Sequence, residues 1–141
     1  MNRRGLGFVV LFGGMLLPAC RAGSDTAQGV AERFLDEHYV RINLEAAKAY
    51  CVGPARQKVE EEARLVGDQV IDASTRQPRV SYRLAERRDE RADRASFVYE
   101  GSIQVDDAEP FTRRWLVNTR KEADGQWKVS NFSEFEERGQ E

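Results

Sequence analysis

A single histidine and four aromatic side chains are the residues of this sequence best suited to ligand binding or proton transfer. His38 follows Ala31, Phe34 and Leu35 in a series of residues spaced three and four apart, which predicts that it lies on the apolar face of a helix. An imidazole in that position is a candidate general base if a substrate can come within hydrogen-bond distance. A lone histidine on an apolar face is more often a hydrogen-bonded core residue, and both interpretations remain open.

The candidate pocket residues each combine an apolar ring with one polar group, which is typical of side chains that line ligand sites. They are Tyr39, Tyr82, Tyr99 and Trp115. The alternative is that these rings form the hydrophobic core, because a small domain must bury most of its aromatic side chains to be stable.

The composition excludes several classes of protein. One histidine and two cysteines leave too few ligands for a zinc, haem or iron–sulfur site, so we expect no metal or cofactor. The 22 basic and 24 acidic side chains nearly balance, so we expect no nucleic-acid partner. The sequence contains no phosphate-binding loop, nucleophile elbow or zinc-protease motif. We therefore expect binding of a ligand or partner more than catalysis.

The first twenty residues are typical of an export signal. Asn2-Arg3-Arg4 provides a positive start, and Leu6–Leu17 follows with no charged group. Secretory signal peptides have a basic start, an apolar run of roughly 7–15 residues and a small residue before the cut. A membrane-spanning helix needs about 20 apolar residues, so the run predicts export and not a span.

The end of the apolar run is more specific. Leu17-Pro18-Ala19-Cys20 resembles the lipobox of bacterial lipoproteins. The resemblance implies that residues 1–19 are removed and that Cys20 carries a diacylglycerol and a further acyl chain such as palmitate. It also implies a position on the periplasmic face of a bacterial membrane. Because Arg21 follows the cysteine where inner-membrane lipoproteins carry Asp, the outer membrane is slightly favoured.

The competing interpretation of the cysteines is a disulfide between Cys20 and Cys51 in an oxidising compartment. Acylation of Cys20 excludes that disulfide and leaves Cys51 unpaired. Cys51 lies between Tyr50 and Val52 in a stretch predicted to be helical, where a buried, unreactive thiol is expected.

The tether between the acylated cysteine and the domain is short. Residues 20–26 precede the first regular element, and Arg21–Thr26 spans at most about 20 Å when extended. We therefore expect any partner to be an envelope protein, or a small apolar ligand, found close to the membrane.

The residues after the tether are predicted to form three helices. Asp25 and Gln28 have the spacing of a capping box, which predicts a helix that begins near Ala27. Asn43 is the predicted N-cap of a second helix, Leu44–Val52, which Gly53-Pro54 would end. A third helix, Ala55–Val66, would present Val59, Ala63 and Val66 on one side and end at Gly67. Its solvated residues would be Glu60, Glu61, Glu62 and Arg64.

The second half of the sequence alternates with a period of two, which predicts strands. Strands are expected around Val80–Leu84, Phe97–Val105, Phe111–Lys121 and Trp127–Phe132, with a hairpin at Asp124-Gly125. Short connections favour an antiparallel meander. The predicted fold class is α+β, with N-terminal helices packed on a curved antiparallel sheet of about four strands.

The order of these elements resembles the NTF2-like cone, and Val30–Cys51 is similar to the first two helices of that superfamily. A cystatin-like sheet with fewer helices is the near alternative. The resemblance implies one domain over residues 27–136, a tail over 137–141, and a pocket between helices and sheet. The short tether, the acylation signal and the shortage of catalytic side chains favour an accessory protein that binds a partner or ligand. The alternatives are a small isomerase or dehydratase that uses His38 and a structural envelope protein with a filled core.

Overall fold

The structure, a computed structural model, describes residues 26–67 and 77–136. The proposed signal peptide, Cys20 and the predicted tail lie outside these residues. Helix α1 is Ala27–Leu35 and continues into one turn of π-helix, Asp36–Val40, called the π-turn below. The remaining elements are α2 (Leu44–Lys48), α3 (Gly53–Val66), β1 (Arg79–Arg88), β2 (Arg94–Gln104), β3 (Phe111–Lys121) and β4 (Trp127–Phe135).

The four strands form one antiparallel sheet in the order β1-β2-β3-β4. Helix α1 packs against β2, β3 and β4, while α3 packs against β4. Irregularities between Leu84 and Glu86 and between Asn118 and Thr119 interrupt the strand pairing, and such bulges bend a sheet. The predicted α+β class, with helices on a curved antiparallel sheet, is confirmed.

The first helix begins at Ala27 as predicted, but its cap differs. The N-cap is Thr26, whose side-chain oxygen accepts a hydrogen bond from the Gly29 amide at 2.9 Å. Gln28 donates to Glu32 at 2.8 Å, one turn further along α1. The cap is therefore a single Thr side chain without the reciprocal bond of a capping box.

The second helix is shorter than predicted. Asn43 caps it as expected, with its side chain accepting from the Ala46 amide at 3.1 Å, but the helix ends at Lys48. Residues 50–52 are instead hydrogen-bonded to β4: Val52 donates to the Val129 carbonyl at 2.9 Å, and Val129 donates to the Tyr50 carbonyl at 2.8 Å. The helical placement of Cys51 was wrong because pairing with β4 takes the backbone bonds that a helix would have used.

Gly53 and Pro54 begin α3 and do not end α2. Gly53 has φ +54°, and Pro54 occupies the first turn of α3, where its missing N–H costs no hydrogen bond. Gly67 ends the helix as predicted, with φ +62° and its amide bonded to the Ala63 carbonyl at 3.1 Å. None of the described helices is long and apolar enough to cross a membrane.

The core lies between α1 and the inner face of the sheet. Its largest fully buried side chains include Phe34, Phe97, Tyr99 and Trp115. A Cβ added at Gly101 would lie only 2.0 Å from the Trp115 ring, so the absence of a side chain on β2 lets this ring fill the centre of the cone. The cone is consequently filled at the level of Trp115, and a hollow lies towards one end of it.

Candidate functional site

The hollow end of the cone contains a cavity of about 440 Å³. Its walls come from the start of β1, the end of β2, the segment after the π-turn and the end of α3. The apolar wall consists of Ile42, Leu44, Leu65, Val66, Val80 and Ile103. His38, Tyr39 and Glu62 provide its polar groups. The cavity thus has an apolar body with a few polar groups on one side, as small-molecule sites commonly do.

The π-turn places His38 and Tyr39 together at this cavity. Its wider winding is seen in the bond from the Arg41 amide to the Asp36 carbonyl, five residues back, at 2.8 Å. The His38 ring lies 5.2 Å from Phe34, and the Tyr39 ring lies 4.8 Å from Trp115. Two consecutive side chains therefore pack on the aromatic core. Single π-turns within helices are frequent at functional sites.

His38 is held by a carboxylate from α3. Its Nε2 is hydrogen-bonded to Oε2 of Glu62. The imidazole is 9% exposed, and its Nδ1 is buried with no hydrogen-bond partner among the described residues. The arrangement fits an Nε2–H tautomer that donates to the carboxylate. Because one nitrogen is engaged and the other is buried, the reachable proton acceptor at the cavity is Glu62, whose side chain is 39% exposed.

Tyr39 lies beside two carboxylates. Burial raises the pKa of its phenol well above the usual range, and the negative charges of Glu134 and Glu62 raise it further. Glu134 itself accepts from the Trp115 indole N–H at 3.3 Å and is paired with Arg113 at 3.1 Å. Tyr39 therefore stays protonated and can act as a hydrogen-bond donor. No group of three or more potential metal ligands occurs within residues 26–67 and 77–136.

Tyr82 and Tyr99 belong to a different group of contacts. The Tyr82 hydroxyl donates to Oδ1 of Asp36 at 2.6 Å and lies 3.1 Å from the Glu32 carbonyl oxygen. Tyr99 donates to the Glu32 carboxylate at 3.5 Å, and the two tyrosine rings meet edge-to-face at 5.6 Å. Burial is the main cause that raises the pKa of both phenols. These hydroxyls attach α1 to the sheet.

The fold is similar to that of several solved structures of low sequence identity. Searches with the sequence match no protein-family model and no curated protein. A structure from Thiobacillus denitrificans, described as a calcium/calmodulin-dependent protein kinase type II association domain, superposes with a TM-score of 0.61 at 14% identity, covering 80% of this chain and 96% of that one. A ketosteroid isomerase-like protein from Erwinia carotovora atroseptica has a TM-score of 0.54 at 17% identity, with 77% and 91% covered.

A third structure, the VirB8 protein of Agrobacterium tumefaciens, has a TM-score of 0.52 at 11% identity, covering 81% of this chain and 92% of that one. The fold is NTF2-like. At these identities the likeness concerns the fold alone, so the roles of individual residues in this NTF2-like domain depend on its own geometry.

The structure divides the residues singled out from the sequence into two groups. His38 and Tyr39 lie together at the cavity of the NTF2-like domain, with Trp115 behind Tyr39. Tyr82 and Tyr99 pack against each other and are not among the cavity residues.

Glu62 is the cavity residue that the sequence analysis missed. It was expected in solvent with Glu60 and Glu61 because the three carboxylates are consecutive. At about 100° per residue, however, Glu62 lies only about 65° from the centre of the apolar stripe that Val59, Ala63 and Val66 define. That angle was the available signal, and the run of charge concealed it.

Cys51 is buried, as predicted, although on an extended segment. It is 2% exposed, and its Sγ donates to the Ala47 carbonyl at 3.4 Å. Burial raises the pKa of the thiol to about 12, against the weaker opposing effects of Lys128 and Arg56. A thiol that stays protonated is a poor nucleophile.

Proposed function

We propose that this protein binds a small, mainly apolar ligand in the cavity of its NTF2-like domain while a lipid on Cys20 holds it at a bacterial membrane. The observation that supports ligand binding is the cavity itself. Its volume of about 440 Å³ falls in the range of roughly 300–1,000 Å³ that is typical of small-molecule pockets.

The chemistry of the cavity walls limits the ligand. Six aliphatic side chains favour a hydrocarbon or aromatic body, since each square ångström of apolar surface buried contributes about 25 cal/mol. The carboxylate of Glu62 favours a ligand with one hydrogen-bond donor, such as a hydroxyl or an amine, directed towards α3. The role is that of an accessory protein of the cell envelope.

A photoactivatable apolar diazirine probe tests the cavity on the full-length chain in mild detergent. We expect labelling to concentrate on the partly buried cavity residues Val80 and Ile103. Ile103→Phe, which fills the cavity, should abolish that labelling, while Val105→Phe, placed beyond β2 and 44% exposed, should leave it intact. Labelling spread evenly over the surface, or unchanged by Ile103→Phe, would contradict ligand binding at this site.

The lipid anchor is supported by the lipobox-like Leu17-Pro18-Ala19-Cys20 and the uncharged run before it. Two or more acyl chains give stable attachment, whereas one gives marginal binding. Cys20→Ser should therefore move the protein from the membrane fraction to the soluble fraction of its host. Cys51→Ser is the matched control and should remain with the membrane; equal release of both variants would argue against acylation.

A second candidate function is proton transfer, favoured by the hydrogen bond between His38 and Glu62 at an apolar cavity. One structural neighbour is described as ketosteroid isomerase-like. In this chain the base would be the Glu62 carboxylate, with His38 positioning it.

The probe for this activity is 5-nitrobenzisoxazole. A base removes the proton on its ring carbon, the N–O bond breaks, and the electron pair goes to oxygen as a coloured phenolate. If the domain is a catalyst of this type, Glu62→Gln should abolish turnover and Glu61→Gln should preserve it. Equal rates for the wild type and Glu62→Gln would exclude this second candidate.

A further inference from the structure

A second concave site lies at the opposite end of β2 from the apolar cavity. It is a cleft of about 480 Å³ where β2 begins and β3 ends. Three arginines line it, Arg91, Arg94 and Arg120, with one acidic side chain, Asp89, so that its lining carries a net charge of +2. The whole chain carries a formal charge of −2, which makes this local positive excess a distinct feature.

Two of the arginines face each other directly. Arg94 on β2 and Arg120 on β3 are cross-strand partners in the sheet register. Like charges placed directly opposite in a sheet are destabilising. The charge of Arg120 is partly offset by Glu122, because the Nε of Arg120 is paired with the Glu122 carboxylate at 3.0 Å. Within residues 26–67 and 77–136, neither Arg91 nor Arg94 has a carboxylate partner. An anion between these guanidinium groups would remove the repulsion.

The uncharged side chains of the cleft also present donors. Asn118 and Asn131 are cross-strand partners, and each has its amide oxygen already engaged. Oδ1 of Asn118 accepts from the Ser96 hydroxyl at 2.7 Å. Oδ1 of Asn131 accepts from Nζ of Lys58 at 2.7 Å. What remains on each side chain is its NH₂ group, which can only donate.

We propose that this cleft binds a phosphate group. Guanidinium groups pair with phosphate through two parallel hydrogen bonds, and the negative charge of the phosphate, about −1.5 to −2 for a monoester, complements the positive lining. The two asparagine NH₂ groups supply further donors to its oxygens. The phosphate comes either from a soluble phosphorylated compound or from a phospholipid headgroup. The proposal does not depend on a ligand in the apolar cavity.

Thermal unfolding of the full-length chain in non-ionic detergent tests the site. Inorganic phosphate and pyrophosphate are titrated against chloride at matched ionic strength. A ligand that binds only the folded state raises the melting temperature in a saturable way. We expect such a rise for the wild type. Arg94→Gln should weaken phosphate binding at least tenfold and should raise the melting temperature in chloride alone, because it removes the repulsion with Arg120.

The control is Arg83→Gln on the same sheet, where Arg83 is paired with Glu100 at 2.8 Å outside the cleft. It should keep the full phosphate response. Micelles doped with phosphatidylglycerol, compared with phosphatidylcholine, form a second arm. A response to soluble phosphate assigns a soluble ligand, and a response confined to phosphatidylglycerol assigns a headgroup. Absence of a saturable response in both arms, or a response that Arg94→Gln retains, would overturn the proposal.

Discussion

His38 in the π-turn and Glu62 on α3, separated by 24 residues in the sequence, are joined by a hydrogen bond at the edge of the cavity. The bond connects the first helical segment to the third and fixes the orientation of the imidazole. It also leaves the carboxylate as the polar group that a ligand in the cavity meets first.

Removing Glu62 should destabilise the domain through His38. With Glu62→Ala the Nε2 of His38 loses its partner, which leaves both ring nitrogens of a nearly buried imidazole unsatisfied, and an unsatisfied buried polar group costs about 1–3 kcal/mol. Glu61→Ala removes a carboxylate that is paired only with exposed Arg64 and should change the free energy of unfolding by less than about 0.5 kcal/mol. Urea unfolding compares the two, and equal values would show that the hydrogen bond contributes nothing.

Gly101→Ala should destabilise the domain through Trp115. The new methyl group would overlap the indole ring, and forced overpacking of a core costs about 1–3 kcal/mol. In a Trp115→Phe background, where the clashing ring atoms are gone, the same substitution should cost much less. A double-mutant cycle measured by chemical denaturation gives the coupling. Additive effects would contradict the close approach seen here.

The buried tyrosines should make the fold sensitive to alkaline pH. The pKa values of Tyr39, Tyr82 and Tyr99 are raised above the value of about 10 for an unfolded chain. Their contribution to stability is therefore fully present below about pH 10 and is lost as the pH rises above it, because the unfolded state releases those protons first. The phenolate ultraviolet absorbance of these three residues should appear together with the loss of helical circular dichroism. Ionisation of all three before unfolding would be inconsistent with their burial.

Cys51 should not react with thiol reagents in the folded protein. With a pKa of about 12, only roughly one thiol in ten thousand is ionised near pH 8. Alkylation followed by peptide mass spectrometry should modify Cys51 only after denaturation. Rapid modification of Cys51 in the native protein would contradict the burial described above. The same digest reports on Cys20, whose thiol should not be alkylated in either state if it carries the proposed lipid.

Period-two alternation was the most informative part of the sequence. The bounds of β3, Phe111–Lys121, agree with the predicted strand, and buried and partly exposed side chains alternate along its centre from Arg114 to Thr119. The end of the second helix could not be read in the same way. Gly53-Pro54 is compatible with a helix stop and with a helix start, and the choice depended on pairing of residues 50–52 with Val129.

The candidate site was only partly predictable. Spacing placed His38 on the apolar face, but the π-turn that brings Tyr39 beside it has no known sequence signal in this stretch. The tyrosines were grouped from their chemistry, whereas the fold separates them: Tyr39 packs on Trp115 at the cavity, and Tyr82 packs on Tyr99 outside it. Such separation depends on how side chains fill space across three strands, and no local pattern encodes it.

Native mass spectrometry of the full-length protein, purified from its own host in mild detergent, tests the central proposal most directly. The wild type should carry acyl mass on Cys20 and retain a small molecule that Ile103→Phe loses and Val105→Phe keeps. A chain without acyl mass and without any retained small molecule, in the wild type as in Ile103→Phe, would contradict a lipid-anchored ligand-binding protein.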